Sequence, residues 1–142
     1  MSAGRHVVVG GGLAAAKAVE TLRGEGYDGG LTVVARERHR PYERPPLSKD
    51  YLRGEAERES VFPLSADWYA EHDVELLTET EATAVDLAGR SVALSGGRTL
   101  PYEKLLLATG SDPRRIPLPG LDLDGVHELR TLDDSDALAA AL

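Results

Sequence analysis

The chain has 142 residues, 42% of them hydrophobic, and no cysteine, which favours one compact core and excludes disulfides, thiolate metal sites and thiol redox chemistry. Its formal net charge of −8 at pH 7 argues against nucleic acid and against an anionic membrane surface as partners. No apolar stretch is long enough to cross a membrane and no signal-peptide pattern precedes Val7, so we expect a soluble cytoplasmic protein.

A valine-rich segment followed by a glycine cluster opens the chain. Arg5–Val9 predicts a buried parallel strand, and apolar residues at helical spacing predict a helix from Leu13 to about residue 23. Between them, Gly10 allows a sharp turn, and Gly12 lacks a Cβ, so a diphosphate can approach the backbone. Ala15 still permits close packing of helix and strand. The pattern predicts a phosphate-binding βαβ unit, although an ordinary strand–turn–helix crossover would also explain it.

The second predicted strand, Leu31–Ala35, carries charged residues at its carboxyl end. Glu37 follows Ala15 at close to the spacing at which an acidic residue meets a ribose hydroxyl in dinucleotide-binding folds. A solvated loop charge is the alternative interpretation. Arg36 beside it is ambiguous, because an arginine there can instead contact a 2′-phosphate or an adenine ring.

A proline-rich segment follows, from Arg40 to Leu52. Its two consecutive prolines favour an extended approach, and Ser48 is then the predicted N-cap of a short helix that continues through Arg53. Arg44 and Lys49 are cations in this stiff loop, which suits an anionic or electron-rich ligand. A surface loop without a ligand is the alternative.

The remaining elements are short. Helices are predicted over Ser65–His72 and from Leu132 to the last residue, with an extended proline-containing connector before the second helix. Five extended segments are predicted: Val74–Leu77 as a third parallel strand, Thr83–Leu87 and Ser91–Leu94 as a hairpin, Thr99–Leu100 after a glycine turn, and Leu105–Gly110 as another buried strand that ends in a small-residue turn.

Other kinds of site lack the residues that they need. The histidines are scattered without metal-ligand spacing, so we predict no metal site. Neither a G-x-S-x-G elbow nor a Tyr-x-x-x-Lys pair is present, so hydrolase and simple dehydrogenase functions have no residues to perform their chemistry.

Four sequence blocks resemble one enzyme family. They are Val-Val-Gly-Gly-Gly-Leu-Ala at 8–14, Pro-Tyr-Glu-Arg-Pro-Pro-Leu-Ser-Lys at 41–49, Leu-Leu-Leu-Ala-Thr-Gly at 105–110 and Leu-Arg-Thr-Leu-Asp-Asp at 129–134. Together they span nearly the whole chain. The chain resembles the flavoprotein ferredoxin reductases that serve oxygenase and P450 systems, of the putidaredoxin and rubredoxin reductase type, within the pyridine nucleotide-disulphide oxidoreductase superfamily.

The resemblance implies an α/β fold, a Rossmann-like three-layer parallel sheet with a small antiparallel hairpin or meander insertion. It implies that residues 1–114 are the FAD-binding segment. Residues 115–142 are then a proline-rich connector and a truncated helix that lead toward an NAD(P)H domain absent from this sequence.

The resemblance also implies roles for individual residues. The FAD diphosphate is expected at the glycine motif, which Ala15 completes, and specifically at Gly10, Gly12, Leu13 and Ala14. The adenosine is expected to contact Glu37 through its ribose and the backbone of Ala82 near its adenine, while Arg36 departs from the small or acidic residue often found at its position. The rest of the cofactor is expected to contact Arg44, Lys49 near the flavin N5 edge as the catalytic residue, and Arg130.

In the complete enzyme, the resemblance implies electron transfer from NAD(P)H through FAD to a ferredoxin- or rubredoxin-type acceptor. The lack of cysteine excludes a relay through a protein disulfide in this segment, which favours an external acceptor. We expect the chain alone to be inactive. Two alternatives stay open: a non-catalytic fragment that folds without flavin, and an NAD-binding Rossmann module that uses the unit from Gly10 to Glu37.

Overall fold

The computed structural model describes residues 4–142, which divide into two compact units. The first contains the described residues up to Tyr42 together with Phe62–Gly110, and the second contains Glu43–Val61 and Ser111–Leu142. The predicted division of the chain into a binding segment up to residue 114 and a connector after it stays a prediction.

A parallel sheet of four short strands forms the centre of the first unit. These strands are β1 (His6–Val9), β2 (Leu31–Val34), β3 (Val74–Leu77) and β7 (Lys104–Leu107), and their order across the sheet is β3-β2-β1-β7. All neighbours are parallel and in register. The three strands predicted from Arg5 to Leu77 are confirmed. The β-branched residues of β1 and β2 suit strands that are covered on both faces, whereas β3 lies at the edge of the sheet and is half-buried.

Helix α1 (Leu13–Gly24) covers one face of this sheet. Side chains alternate between the two faces of a strand, so Val8 and Val33 point to the same side and pack with the helix. The alanine-rich face of α1 brings the helix close, and Ala15 is completely buried there. A short helix α2 (Trp68–Glu71) adds Tyr69 to the same cluster.

An antiparallel meander covers the opposite face. Its strands are β4 (Ala82–Asp86), β5 (Ser91–Leu94) and β6 (Thr99–Pro101), in the order β4-β5-β6. The buried residues of this second cluster come from both sheets: Val7, Val9, Val34, Val92, Leu94 and Leu100. Helix, parallel sheet and meander therefore form three layers, and the predicted α/β fold class is confirmed.

The prediction that the strand of Leu105–Gly110 is buried is wrong, although the strand does end before the small residues that follow Leu107. Strand β7 stops at Leu107, and its residues Leu106 and Leu107 are 43% and 61% exposed. The strand lies at the edge of the sheet with a single neighbour, β1. An apolar run alone does not distinguish an edge strand from a central one, because strand order is a tertiary property.

The helix predicted from Ser48 through Arg53 is also wrong. The chain instead forms a 3-10 helix over Pro45–Ser48, followed by turns. Proline fixes φ near the helical value and lacks an amide hydrogen, which makes it a favourable first residue of a helical turn. The turn therefore begins at the prolines, and Lys49 has already left the helical conformation with φ −132° and ψ −122°.

Helix α3 (Leu132–Ala141) lies in the second unit, as predicted. Its first turn is closed by a capping box in which Thr131 Oγ1 accepts from the Asp134 amide at 3.1 Å and Asp134 Oδ2 accepts from the Thr131 amide at 2.7 Å. Over residues 4–142, no helix combines the length and the apolar character that crossing a membrane requires.

Gly10 is required by the packing at the end of β1. Its φ is +148°, and a Cβ there would lie 2.1 Å from the carbonyl oxygen of Ala108. We expect Gly10→Ala to lower the free energy of unfolding by about 2 kcal/mol or more, the scale of one strained backbone position. Urea denaturation of the purified variant measures this loss.

Gly12→Ala is the matched control for that substitution. Gly12 has extended backbone, with φ −108° and ψ −173°, and no atom within 4 Å of its Cβ position. Its free energy of unfolding should stay within roughly 0.5 kcal/mol of the wild-type value. Equal losses in the two variants would contradict a packing role specific to Gly10.

Candidate functional site

The carboxyl ends of β1 and β7 lie where the strand order changes direction. The chain runs from β1 outward through β2 to β3, and β7 then pairs with the other side of β1. Ligands of open α/β sheets bind in the crevice at such a switch point. The Gly10 amide donates to the Val34 carbonyl at 2.9 Å, and the Ala108 amide donates to the Val9 carbonyl at 2.8 Å. The predicted glycine bend therefore lies at the switch point.

Helix α1 begins directly after this bend and has no side-chain cap. Gly12 is its N-cap residue, without a side-chain hydrogen bond to the first turn and without an acidic residue in that turn. The Cβ position of Gly12 faces open space, and Leu13 and Ala14 are exposed. Because a helix N-terminus carries amides without intrahelical partners and a partial positive charge, this arrangement fits an anionic group such as a diphosphate.

Glu37 lies just beyond β2 and is held by Tyr42. The Tyr42 hydroxyl donates a hydrogen bond to Glu37 Oε2, and the tyrosine is only 1% exposed. The backbone of Tyr42 also forms a parallel bridge with Gly12. The structure thus connects the predicted ribose-binding acid with the glycine bend through one buried tyrosine. The sequence gives no signal for this role, because a tyrosine beside a proline is equally typical of a core position.

Arg36 and Ala82, the other two residues predicted to contact the adenosine, also belong to the first unit. Arg36 is exposed beside Glu37, and Ala82 is half-buried at the start of β4. Ala82 pairs with Leu94, and the register shifts between Ala82 and Ala84. The adenine and phosphate contacts expected of Arg36 and Ala82 stay predictions.

The second unit brings Arg44 and Arg130 together. Arg44 Nη1 donates to the Arg130 carbonyl at 2.7 Å, and the buried hydroxyl of Ser135 donates to the Leu47 carbonyl at 2.8 Å. These two bonds attach the proline-rich segment to the start of α3. The sequence blocks 41–49 and 129–134, which are far apart along the chain, are therefore in direct contact through Arg44 and Arg130.

Arg130 also has a buried donor that no described residue satisfies. Its Nε is buried without a hydrogen-bond partner among residues 4–142. Burial of an unpaired guanidinium donor is unfavourable, so an acceptor from a ligand suits this position. Lys49, after the 3-10 helix, is exposed. The flavin contacts predicted for Arg44, Lys49 and Arg130 stay predictions.

The connector of the second unit lines an open cavity of about 540 Å³ that the sequence did not predict. Its wall includes an ion pair between Arg115 and Glu128 at 2.8 Å. The apolar part of the wall is formed by Ile116, Leu118, Leu121 and Val126. Proline spacing indicated an extended connector and gave no signal for the turns that fold it into a concave surface.

Known proteins match this chain along nearly its whole length. The family model described as pyridine nucleotide-disulphide oxidoreductase matches residues 4–142. The ferredoxin–NAD(+) reductase subunit of a benzene 1,2-dioxygenase system from Pseudomonas putida is 40% identical over 134 residues, which cover 94% of this chain and 32% of that protein. Rubredoxin–NAD(+) reductase of the same species is 39% identical over 137 residues, covering 96% and 35%.

A solved structure shows the same fold. In the crystal structure of the covalent putidaredoxin reductase–putidaredoxin complex, the match has a TM-score of 0.90 at 36% identity and covers 99% of this chain and 34% of that chain. The chain thus spans about a third of the length of the proteins that it matches.

Asp134 stabilises the turn that carries Arg130. Burial alone would raise the pKa of Asp134, but hydrogen bonds from Thr131 and from the Arg130 amide outweigh it and hold the pKa below its ordinary value. A lowered folded-state pKa stabilises the fold above the unfolded pKa, and that contribution is lost as the pH falls through the folded pKa. We expect Asp134→Ala to lower the free energy of unfolding at neutral pH by about 1 kcal/mol, as for loss of a helix cap.

The pH dependence of the free energy of unfolding distinguishes loss of the Asp134 hydrogen bonds from a general loss of negative charge. The difference between wild type and Asp134→Ala should shrink as the pH falls below 3.8, the ordinary pKa of the carboxyl, when unfolding is followed by circular dichroism. Asp133→Ala is the control, since Asp133 also lies in the first turn but outside the capping box. An equal loss in both variants, or a loss that is constant with pH, would contradict the role of Asp134.

Proposed function

We propose that this chain, which belongs to the pyridine nucleotide-disulphide oxidoreductase family, is the FAD-binding part of an NAD(P)H-dependent reductase that supplies electrons to a ferredoxin- or rubredoxin-type protein. The observation that carries this proposal is the open glycine bend at the switch point of the sheet, followed by the uncapped helix α1. The relatives named ferredoxin–NAD(+) reductase and rubredoxin–NAD(+) reductase support it, because they match over more than nine-tenths of the chain.

The first unit supplies groups for the adenosine diphosphate half of the cofactor. The amides at the start of α1 attract the diphosphate, and the absence of a side chain at Gly12 gives it room to approach. Glu37 lies at the carboxyl end of β2, where its carboxylate accepts hydrogen bonds from the ribose hydroxyls. When bound, FAD supplies the chemistry that connects a two-electron hydride donor with a one-electron acceptor.

An external acceptor suits the composition of the chain. It contains no cysteine, so its residues supply no redox-active disulfide. The names of the relatives point to a small electron-transfer protein as the acceptor. We place the activity in the cytoplasm, where NADH and NADPH are available.

An NAD-binding module is the second candidate function. NAD shares the adenosine ribose and the diphosphate of FAD, so the glycine bend and Glu37 fit both cofactors. The buried, unpaired Nε of Arg130 favours neither one by itself. A direct comparison of the two ligands therefore decides between the candidates.

Flavin retention tests the proposal. The purified chain is mixed with FAD, passed through a gel-filtration column, and examined for flavin absorption and for quenching of flavin fluorescence. We expect saturable binding of FAD and at least about tenfold weaker binding of FMN, a difference of about 1.4 kcal/mol, because FMN lacks the adenosine monophosphate half. Binding of NAD without FAD would instead support the NAD module, and binding of neither would support a fragment without flavin.

Gly12→Ala makes the flavin test specific to the glycine bend. Its methyl group enters the open space beside α1, so we expect FAD affinity to fall about tenfold, while the free energy of unfolding stays near the wild-type value. Isothermal titration of the variant measures the affinity. Unchanged FAD affinity in Gly12→Ala would place the diphosphate elsewhere.

The chain with FAD bound should not reduce an acceptor with NADH. The hydride donor needs a binding site of its own, and the geometry within residues 4–142 fits one dinucleotide at the switch point. Reduction of ferredoxin or of a dye by NADH, followed spectrophotometrically, should match the rate with free FAD. A rate well above that control would contradict the proposal that the chain is only the FAD-binding part.

A further inference from the structure

We infer that Tyr42 is a positioning residue for the adenosine ribose: its buried hydroxyl orients the Glu37 carboxylate, and its backbone joins that carboxylate to the glycine bend. The inference rests on the proposed function, because Glu37 is there the acceptor for the ribose hydroxyls. It adds a residue that the glycine and acid spacing does not contain. Tyr42, Glu37 and Gly12 all belong to the first unit.

The ring of Tyr42 is held in one place. The residue is 1% exposed, and its ring makes edge contacts with Phe62 at 6.3 Å and with His39 at 6.2 Å between ring centroids. Arg40 stacks on the other aromatic ring of this group, with its guanidinium carbon 3.7 Å from the Phe62 centroid, and its Nε donates to the Leu64 carbonyl at 3.1 Å. The position of the Tyr42 hydroxyl is therefore fixed by the packing of its ring.

A buried tyrosine hydroxyl needs a hydrogen-bond partner, and here the partner is a carboxylate. The hydroxyl donates to Glu37 Oε2, while the Glu37 carbonyl accepts from the Glu79 amide at 3.1 Å. Both the backbone and the side chain of Glu37 are thereby oriented. A carboxylate accepts about four hydrogen bonds, so a bond from Tyr42 and bonds from a ribose diol can coexist on the same group.

The backbone of Tyr42 extends the connection to the diphosphate side. It forms a parallel bridge with Gly12, the N-cap of α1. In an adenosine diphosphate, the ribose is joined directly to the diphosphate. The two protein groups proposed to bind them, the Glu37 carboxylate and the start of α1 at Gly12, must therefore keep a fixed separation. Tyr42 contacts both groups, so it sets that separation, and pre-organisation of this kind improves affinity.

Removal of one oxygen atom tests the inference. Tyr42→Phe keeps the ring and its packing but deletes the donor to Glu37. We expect its affinity for ADP and FAD, measured by isothermal titration, to fall about fivefold to tenfold. Its affinity for inorganic pyrophosphate, which has no ribose, should not change. Tyr102→Phe is the matched control, because Tyr102 is a half-buried tyrosine whose hydroxyl makes only a long 3.5 Å contact with the Asp86 carbonyl.

A double-mutant cycle shows whether Tyr42 acts through Glu37. In the Glu37→Ala background, Tyr42→Phe should cause no further loss of ADP affinity, since the group that the hydroxyl orients has been removed. A tyrosine that merely stabilises the fold would give the same loss in both backgrounds. Independent losses would therefore overturn the inference.

The remaining outcomes distinguish this inference from the proposed function. If the wild-type chain binds ADP and FAD and Tyr42→Phe binds them with the same affinity, the role of Tyr42 is contradicted and the proposed function stands. An equal loss of pyrophosphate affinity in Tyr42→Phe also contradicts that role, since the glycine bend itself would then be altered. A wild-type chain that binds neither ADP nor FAD contradicts both.

Discussion

The close approach of Gly10 to the carbonyl of Ala108 is the constraint on which the rest of the structure depends. At this point the backbones of β1, β2 and β7 meet through the hydrogen bonds from Gly10 to Val34 and from Ala108 to Val9. No side chain fits between them, so the chain leaves β1 in a bend that only glycine adopts easily. Helix α1 must then start at the carboxyl edge of the sheet, with its positive end at the switch point.

In the proposed site, packing and binding depend on different glycines of the same motif. Gly10 is enclosed by the chain itself, whereas the Cβ position of Gly12 faces open space. A substitution at Gly10 therefore disturbs packing, and we expect a substitution at Gly12 to act on the proposed diphosphate site. Beside this motif, the Tyr42 hydroxyl donates to the Glu37 carboxylate, and we propose this pair as the ribose side of the site. The second unit has its own pair of groups, since Arg44 donates to the carbonyl of Arg130.

The sequence predicts the elements whose signal is local. The valine runs of β1 and β2, the helical spacing of α1, the hairpin and the glycine bend all follow from periodicity and from the properties of glycine. Features decided by tertiary structure could not be predicted: the exposure of Leu106 depends on strand order, and the bond between Tyr42 and Glu37 depends on how the loop after β2 folds back. The helix predicted after the prolines is wrong for a local reason: the fixed φ of Pro45 starts the helical turn at the prolines, so Ser48 ends the turn and does not cap a helix.

The central claim is that the start of α1 binds the diphosphate of a dinucleotide, and an amide NMR titration of the isotope-labelled chain with ADP tests it most directly. We predict that the largest saturable shifts occur at Gly11, Gly12, Leu13 and Ala14, followed by residues near Glu37. Saturable shifts confined to the cavity of the second unit, around Val126 and Ala137, with unchanged resonances at the start of α1, would contradict it.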